Sequence, residues 1–224
     1  MLRWTRPRWD WPALRQSATN GASEAVSTLT PAVTVLVMNR VALDLAGAEG
    51  VASVAIVSIG VPLFAMAAMG YAYGISPIIS FNHGAANHHR LRQLLRTSVT
   101  LSLIGAAAMT ALGLALAHPI GLVYVPAGTQ VHTLAVDGIR LGMIGMPLMA
   151  FNIFAIAWFT ALNNGRISGG LALARTFAVL LAALLVLPRL FGLTGLWLAT
   201  SAAEALSLTL SIALVLWSQR RLRA

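Results

Sequence analysis

Long apolar runs alternate along this chain with short polar knots. Six runs are long enough to cross a bilayer as helices, which takes about 20 residues each. They cover approximately residues 18–43, 51–80, 96–117, 131–162, 166–188 and 193–218. The knots between them carry helix-breaking residues: "DLAGAEG", "FNHGAANHHR", "HPIGLVYVPAGTQ", "NNGR" and "PRLFG", in that order. The second and fourth runs exceed the thickness of a membrane, so tilting or projection beyond it is expected. No repeat of 20–50 residues and no low-complexity tract interrupts the series. The pattern predicts an all-α integral membrane protein, a six-helix bundle over residues 18–218. A basic, aromatic segment on the cytoplasmic membrane surface (1–17) precedes it and a basic cytoplasmic tail (219–224) follows.

Composition supports lipid as the solvent. Hydrophobic residues make up 58% of the 224, mean hydropathy is +0.80 and only 9% are charged, against about 25% in soluble domains. A soluble fold of this size could not hide so much apolar surface. The net charge of +9 does not indicate nucleic acid, because the arginines flank apolar runs and form no basic face. Cysteine is absent, which excludes disulfide and thiol chemistry. The N-terminal "MLRWTRPRWDWPALRQS" has no apolar core or cleavage site, so it does not read as a signal peptide.

Arginine placement sets the orientation. If the spans alternate, twelve arginines fall on one side: residues 3, 6, 8, 15, 90, 92, 96, 166, 175, 220, 221 and 223. Three fall on the other: Arg40, Arg140 and Arg189. Both termini are therefore expected in the cytoplasm.

Polar residues within the runs are the candidates for chemistry. In "NGASEAVSTLTPAVTVLVMNR", Asn20, Glu24, Ser27, Thr28, Pro31 and Thr34 fall on one side of a helix. A carboxylate at membrane depth is costly and usually faces a bundle interior or wet cavity; the plainer alternatives for Glu24 are an acid at the interface or one paired with Arg15. Glu204 also lies within a span, with Thr200, Ser201, Ser207 and Ser211 as polar company; interhelical hydrogen bonding is as good a reading there as transport. Asp137 and Arg140 are spaced for a local ion pair. In the fourth span, Pro147 permits a bend, Asn152 adds one amide, and Phe151, Phe154, Trp158 and Phe159 form an aromatic wall. Such a wall is most simply core, though a cavity for greasy cations would use the same surface. At the end of the second span, Pro77 should kink the helix, and Asn82 with Gly84 should terminate it, Gly84 serving as a left-handed cap. His83, His88 and His89 lack helical ligand spacing and a nearby carboxylate, so no metal site is expected.

Two of these stretches, "NGASEAVSTLTPAVTVLVMNR" and "GYAYGISPIISFNHGAANHHRLRQLLR", together with "FTALNNGRISGGLALAR" and "LPRLFGLTGLWLATSAAEALSL", resemble the MATE family of multidrug and toxin exporters over about residues 15–215. The resemblance implies one lobe of a twelve-helix transporter built from two six-helix halves. Drug binds between the halves, and entry of H⁺ or Na⁺ drives export. The chain matches the second half, and no segment matches the first. Glu24 falls where many relatives carry a cation-coupling acid, with Asn20 and Thr28 as its polar support. Pro31, Asn152 and Trp158 would line the substrate cavity. Asn152 stands in the region where some relatives place a second acid. Pro77, Asn82 and Gly84 would shape a gate at the cytoplasmic mouth.

The expected function is efflux of cationic or amphipathic drugs from a bacterial inner membrane, by a half-transporter or a fragment of a longer chain that needs a second half, either a copy of itself or a separate one. Membrane lipids are the other partners, with no nucleic acid and no cofactor beyond the coupling ion. The alternatives are a non-transporting regulatory half and a lipid-linked sugar flippase of the wider superfamily, whose cavity should be richer in cations. An intramembrane serine protease fits poorly: Pro77 follows Ser76 where an oxyanion hole needs a small residue, and His83 lies outside the membrane.

Overall fold

The structure, a computed structural model, describes residues 10–221. Its helices are α1 (Trp11–Gly84), α2 (His88–Tyr124), α3 (Gln130–Ile144), α4 (Met146–Ala161), α5 (Gly165–Leu173) and α6 (Leu181–Arg221). A π-helical segment (Ala174–Leu180) joins the last two. Helix is what lipid demands, since a backbone without water must satisfy its own polar groups.

At 1.5 Å per residue a straight helix of 74 residues would be about 110 Å long, several bilayers thick. Gly47 divides it. Its φ of 62° and ψ of −147° are not helical, and only glycine adopts that region at little cost. The chain folds back sharply there. A Cβ placed on Gly50 would lie 2.5 Å from the Ala42 carbonyl oxygen, although eight residues of straight helix would span about 12 Å. The same device recurs at Gly192 (φ 58°, ψ −138°). A Cβ on Gly195 would strike the carbonyl of Leu187. Each reversal is a Gly-x-x-Gly that brings the residue five before its first glycine against its second.

By length and apolar composition, three helices and the bent pair α3–α4 qualify as spans among the described residues. With α1 and α5–α6 each divided by a glycine reversal, the chain crosses six times. The spans are 11–46, 48–84, 88–124, 130–161, 165–191 and 193–221, as the apolar pattern predicts. The first begins earlier than expected, so residues 11–17 belong to its helix. Nonpolar side chains such as Leu36, Leu63, Ile104 and Leu206 stand on the outside, as suits a lipid-facing surface.

The opposite corners use another device. After the second span Ala86 is left-handed (φ 52°). The Asn87 amide reaches back to the Asn82 carbonyl (3.0 Å) and the Ala86 amide to that of His83 (3.0 Å). This is a Schellman termination. Asn87 then caps α2 through its side chain, which accepts from the Arg90 amide at 3.1 Å. After the fourth span Asn163 takes the left-handed role (φ 56°). The Asn164 amide bonds to Phe159 O and the Asn163 amide to Thr160 O, both at 2.9 Å, and Asn164 caps α5.

One sequence expectation is corrected at this corner. The left-handed residue after span two is Ala86, not Gly84: the helix needs two further residues to present its amides to Asn82 and His83. Pro77, where a kink is expected, falls within the span. It lies inside a helix that runs on to Gly84, and Ser76 Oγ donates to the Ala72 carbonyl (2.8 Å) beside it.

Span four does break, at Gly145, where α3 and α4 meet at 52°. The Gly145 amide turns to Gly142 O, which leaves the Leu141 carbonyl without its usual helical donor. Ser201 Oγ supplies one from span six at 3.0 Å. That approach is close, because a Cβ on Gly145 would lie 2.6 Å from Ser201 Oγ. The core has two regions. One centres on Ile139, Met143, Leu184 and Trp197. The other, built on Phe154, Trp158, Ile79 and Leu91, packs the asparagine corners.

A left-handed alanine costs about 1 kcal/mol relative to glycine. Ala86→Gly should therefore raise the midpoint of thermal unfolding in detergent by a few degrees. Gly47→Ala should lower it by more, since its backbone region is closed to a Cβ.

Candidate functional site

Ser201, Glu204, Ser207, Ser211 and Ser218 are all buried and spaced by three, three, four and seven residues. They make one inward polar stripe along span six. Glu204 is its charged member, with 3% of its surface exposed.

Three spans converge on this carboxylate. From span five, Arg175 directs two donors at Oε1: Nε at 2.9 Å and Nη2 at 2.7 Å. From span four, Asn152 Nδ2 donates to Oε2 at 2.7 Å and to the Glu204 backbone oxygen at 3.0 Å. Asn152 has no exposed surface. Counted from the reversal at Gly192, Glu204 lies 12 residues out and Arg175 lies 17. The five-residue offset is about 7 Å of helix, which an extended arginine side chain spans. Arg175 springs from the π segment. Such segments widen the helix locally and often occur at functional sites.

Two buried oxygens beside the pair have no partner: Asn152 Oδ1 and Ser207 Oγ. Asn152 spends its amide nitrogen on Glu204. Ser207 follows Glu204 by one helical turn. The cluster thus holds a carboxylate, a guanidinium and two unfilled acceptors at membrane depth.

The sequence-predicted residues fall elsewhere, apart from Asn152. Asn20, Glu24 and Thr28 belong to the first span, and their side chains lie outside the described residues. Pro31 is exposed on that span. Trp158 is wholly buried: it packs against Phe154, with ring centroids 6.1 Å apart, and donates to Ser218 Oγ at 3.2 Å. It is a core residue of the lobe, because its polar edge finds a partner inside and leaves nothing facing a cavity. Asn82 donates to the carbonyl of Ile78 (2.8 Å) and serves the corner. Asp137 and Arg140 are exposed and make no ion pair with each other. Arg40 and Asp44, one turn apart on span one, do approach each other at 3.5 Å.

Arg175 is the residue that sequence reasoning missed, counted among the arginines of one membrane face. A signal was present. A charge ten residues into an apolar span needs a partner, and Glu204 was the acid at matching depth in the adjacent span. No group of three or more metal-ligating side chains occurs among the described residues.

The family model MatE matches residues 25–185. The chain therefore belongs to the MatE family. It is similar to several solved structures. A MATE in complex with MaL6 matches at TM-score 0.85 and 17% identity, over 96% of this chain and 48% of that one. A multidrug resistance MATE family transporter of the MOP superfamily, in an outward-facing conformation, gives 0.85 and 17%, over 100% and 49%. A MOP superfamily transporter from Pyrococcus furiosus gives 0.84 and 18%, over 97% and 48%. The chain spans about half the length of each of these. No curated protein matches it.

Removing one partner of a buried ion pair strands the other, at a cost of about 3–5 kcal/mol. Arg175→Met should accordingly destabilise the lobe in detergent by about that much. The double variant Arg175→Met/Glu204→Met should lose far less, since no lone charge remains. Thermal unfolding of the three proteins side by side measures the difference.

Proposed function

We propose that this chain acts as one lobe of a secondary transporter that exports organic cations, driven by H⁺ or Na⁺, and that it works against a second six-helix lobe. The observation that carries the reading is the match of almost the whole chain to half of several MATE structures at TM-scores near 0.85. Half of a two-lobed transporter has one wall of a cavity, and alternating access needs two. The mate is a second six-helix lobe, whether a second copy, a separate chain or a further segment of a longer chain. Substrates of cationic, amphipathic character suit the buried carboxylate of Glu204 and the apolar walls. The location is the bacterial inner membrane with both termini in the cytoplasm. Arg175 now leaves the topology count because it is paired inside the lobe, yet eleven loop or terminal arginines still outnumber three.

Glu24 is the proposed coupling acid, supported by Asn20 and Thr28. Pro31 gives its helix a point of flexure next to the cavity. Pro77 and Asn82 shape the cytoplasmic end of span two, where the lobe would pivot.

Single cysteines test the orientation in a chain that has none. His88→Cys should label from the cytoplasmic face and Glu49→Cys from the outer face; the reverse pattern would overturn the assignment. Proteoliposomes loaded with ethidium test the assembly. Export should need a dimer or an added partner lobe, and a monodisperse monomer that pumps would refute the half-transporter reading. In the assembled system Glu24→Gln should fold normally and lose at least 90% of gradient-driven export. Wild-type rates in that variant would move coupling to another acid.

A further inference from the structure

Arg175 can be regarded as a ligand of Glu204 that happens to be covalently attached. Its guanidinium places two N–H donors on one oxygen, Oε1, while Oε2 accepts from Asn152, so the side-by-side fork of a bidentate guanidinium–carboxylate pair is not made here. A guanidinium carries five N–H groups, so three remain. Close to the pair are two buried acceptors without donors, Asn152 Oδ1 and Ser207 Oγ. The resident side chain thus fills the charge requirement of the site but not its hydrogen-bond requirement. The two halves of the pair also differ in access. The Arg175 side chain is 22% exposed, against 4% for Glu204, so the site opens on the arginine's side. Its backbone belongs to the π segment, a turn type frequent at functional sites.

We infer that the Glu204 cluster is a binding site for cations bearing a guanidinium or amidinium group, and that Arg175 is its tethered competitor. An incoming cation with several N–H donors takes the carboxylate and supplies donors to Asn152 Oδ1 and Ser207 Oγ. Arg175, still charged, swings toward its exposed side. Binding thereby moves a positive charge on span five when the site is occupied. A quaternary ammonium has the charge but no N–H, so it satisfies neither orphan oxygen and is a poor ligand. A competitor on a short tether has an effective concentration in the millimolar range, which weakens the wild-type response to free ligand. The inference deepens the cation-export reading by naming a substrate class. Its test reads binding alone, so a failure of export leaves it standing.

The test is methylguanidinium, titrated at sub-denaturing concentration into the purified full chain in mild detergent, with thermal unfolding followed by intrinsic tryptophan fluorescence. Arg175→Ala vacates the site and leaves the carboxylate bare. Its half-saturating concentration should fall at least tenfold below that of wild type. Arg175→Ala/Glu204→Gln should show no saturable stabilisation, and tetramethylammonium should stabilise none of the proteins. Equal responses from wild type and Arg175→Ala, or from Arg175→Ala and the double variant, overturn the inference. Should Arg175→Ala fail to fold alone, its recovery when purified in methylguanidinium, and not in tetramethylammonium, supports the site. Failure to recover, where the double variant folds, overturns it.

Discussion

A polar group inside hydrocarbon has no water to turn to, and every part of this lobe is arranged around that shortage. The carboxylate of Glu204 shows the constraint at its most severe. It draws two donors from Arg175 and one from Asn152, so spans four, five and six are tied at a single point. The net stabilisation from such a cluster is small, because desolvating its charges costs nearly as much as pairing them returns. Its effect is on specificity. Any shift in the relative position of those spans would leave a charge unpaired, so one arrangement is far better than its neighbours.

The backbone obeys the same rule at the corners. Glycine reversals at Gly47 and Gly192 turn the chain on one face of the bundle with almost no loop. Schellman terminations followed at once by asparagine caps turn it on the other. Both devices satisfy helix ends within a few residues. They also fix how far each span can slide against the next. Interhelical bonds from small side chains, such as Ser80 Oγ to the Ala161 carbonyl at 3.0 Å, add modest attraction without bulk.

The sequence made the six spans legible because apolar length is a strong signal and the breakers between runs are unambiguous. The first span's start was not, since Trp11 to Ser17 are polar enough to read as surface while still helical. The corner after span two was read with the right residues and the wrong one left-handed. Glycine is the default for that backbone, but pairing of the Asn87 and Ala86 amides with Asn82 and His83 moves the requirement onto Ala86. Trp158 was placed in a cavity because an aromatic stripe has the same pattern whether it faces a ligand or a core, and its bond to Ser218 is invisible in one dimension. The Arg175–Glu204 pair joins residues 29 apart. It was hidden because an arginine within an apolar run was counted as a topology signal before its depth was considered.

The break at Gly145 has a consequence for the order in which the lobe is built. Spans enter a membrane roughly in sequence. When the fourth arrives, the Leu141 carbonyl, the Asn152 amide and the Trp158 indole have no partners in it. Their partners are Ser201, Glu204 and Ser218, all in the sixth span, still to be synthesised. The fourth span must therefore wait with three bare polar groups, held in the interface or sheltered by the insertion machinery. The last helix releases it. Birth of the lobe is a delayed event, and its clock is the time taken to make about sixty more residues after Trp158.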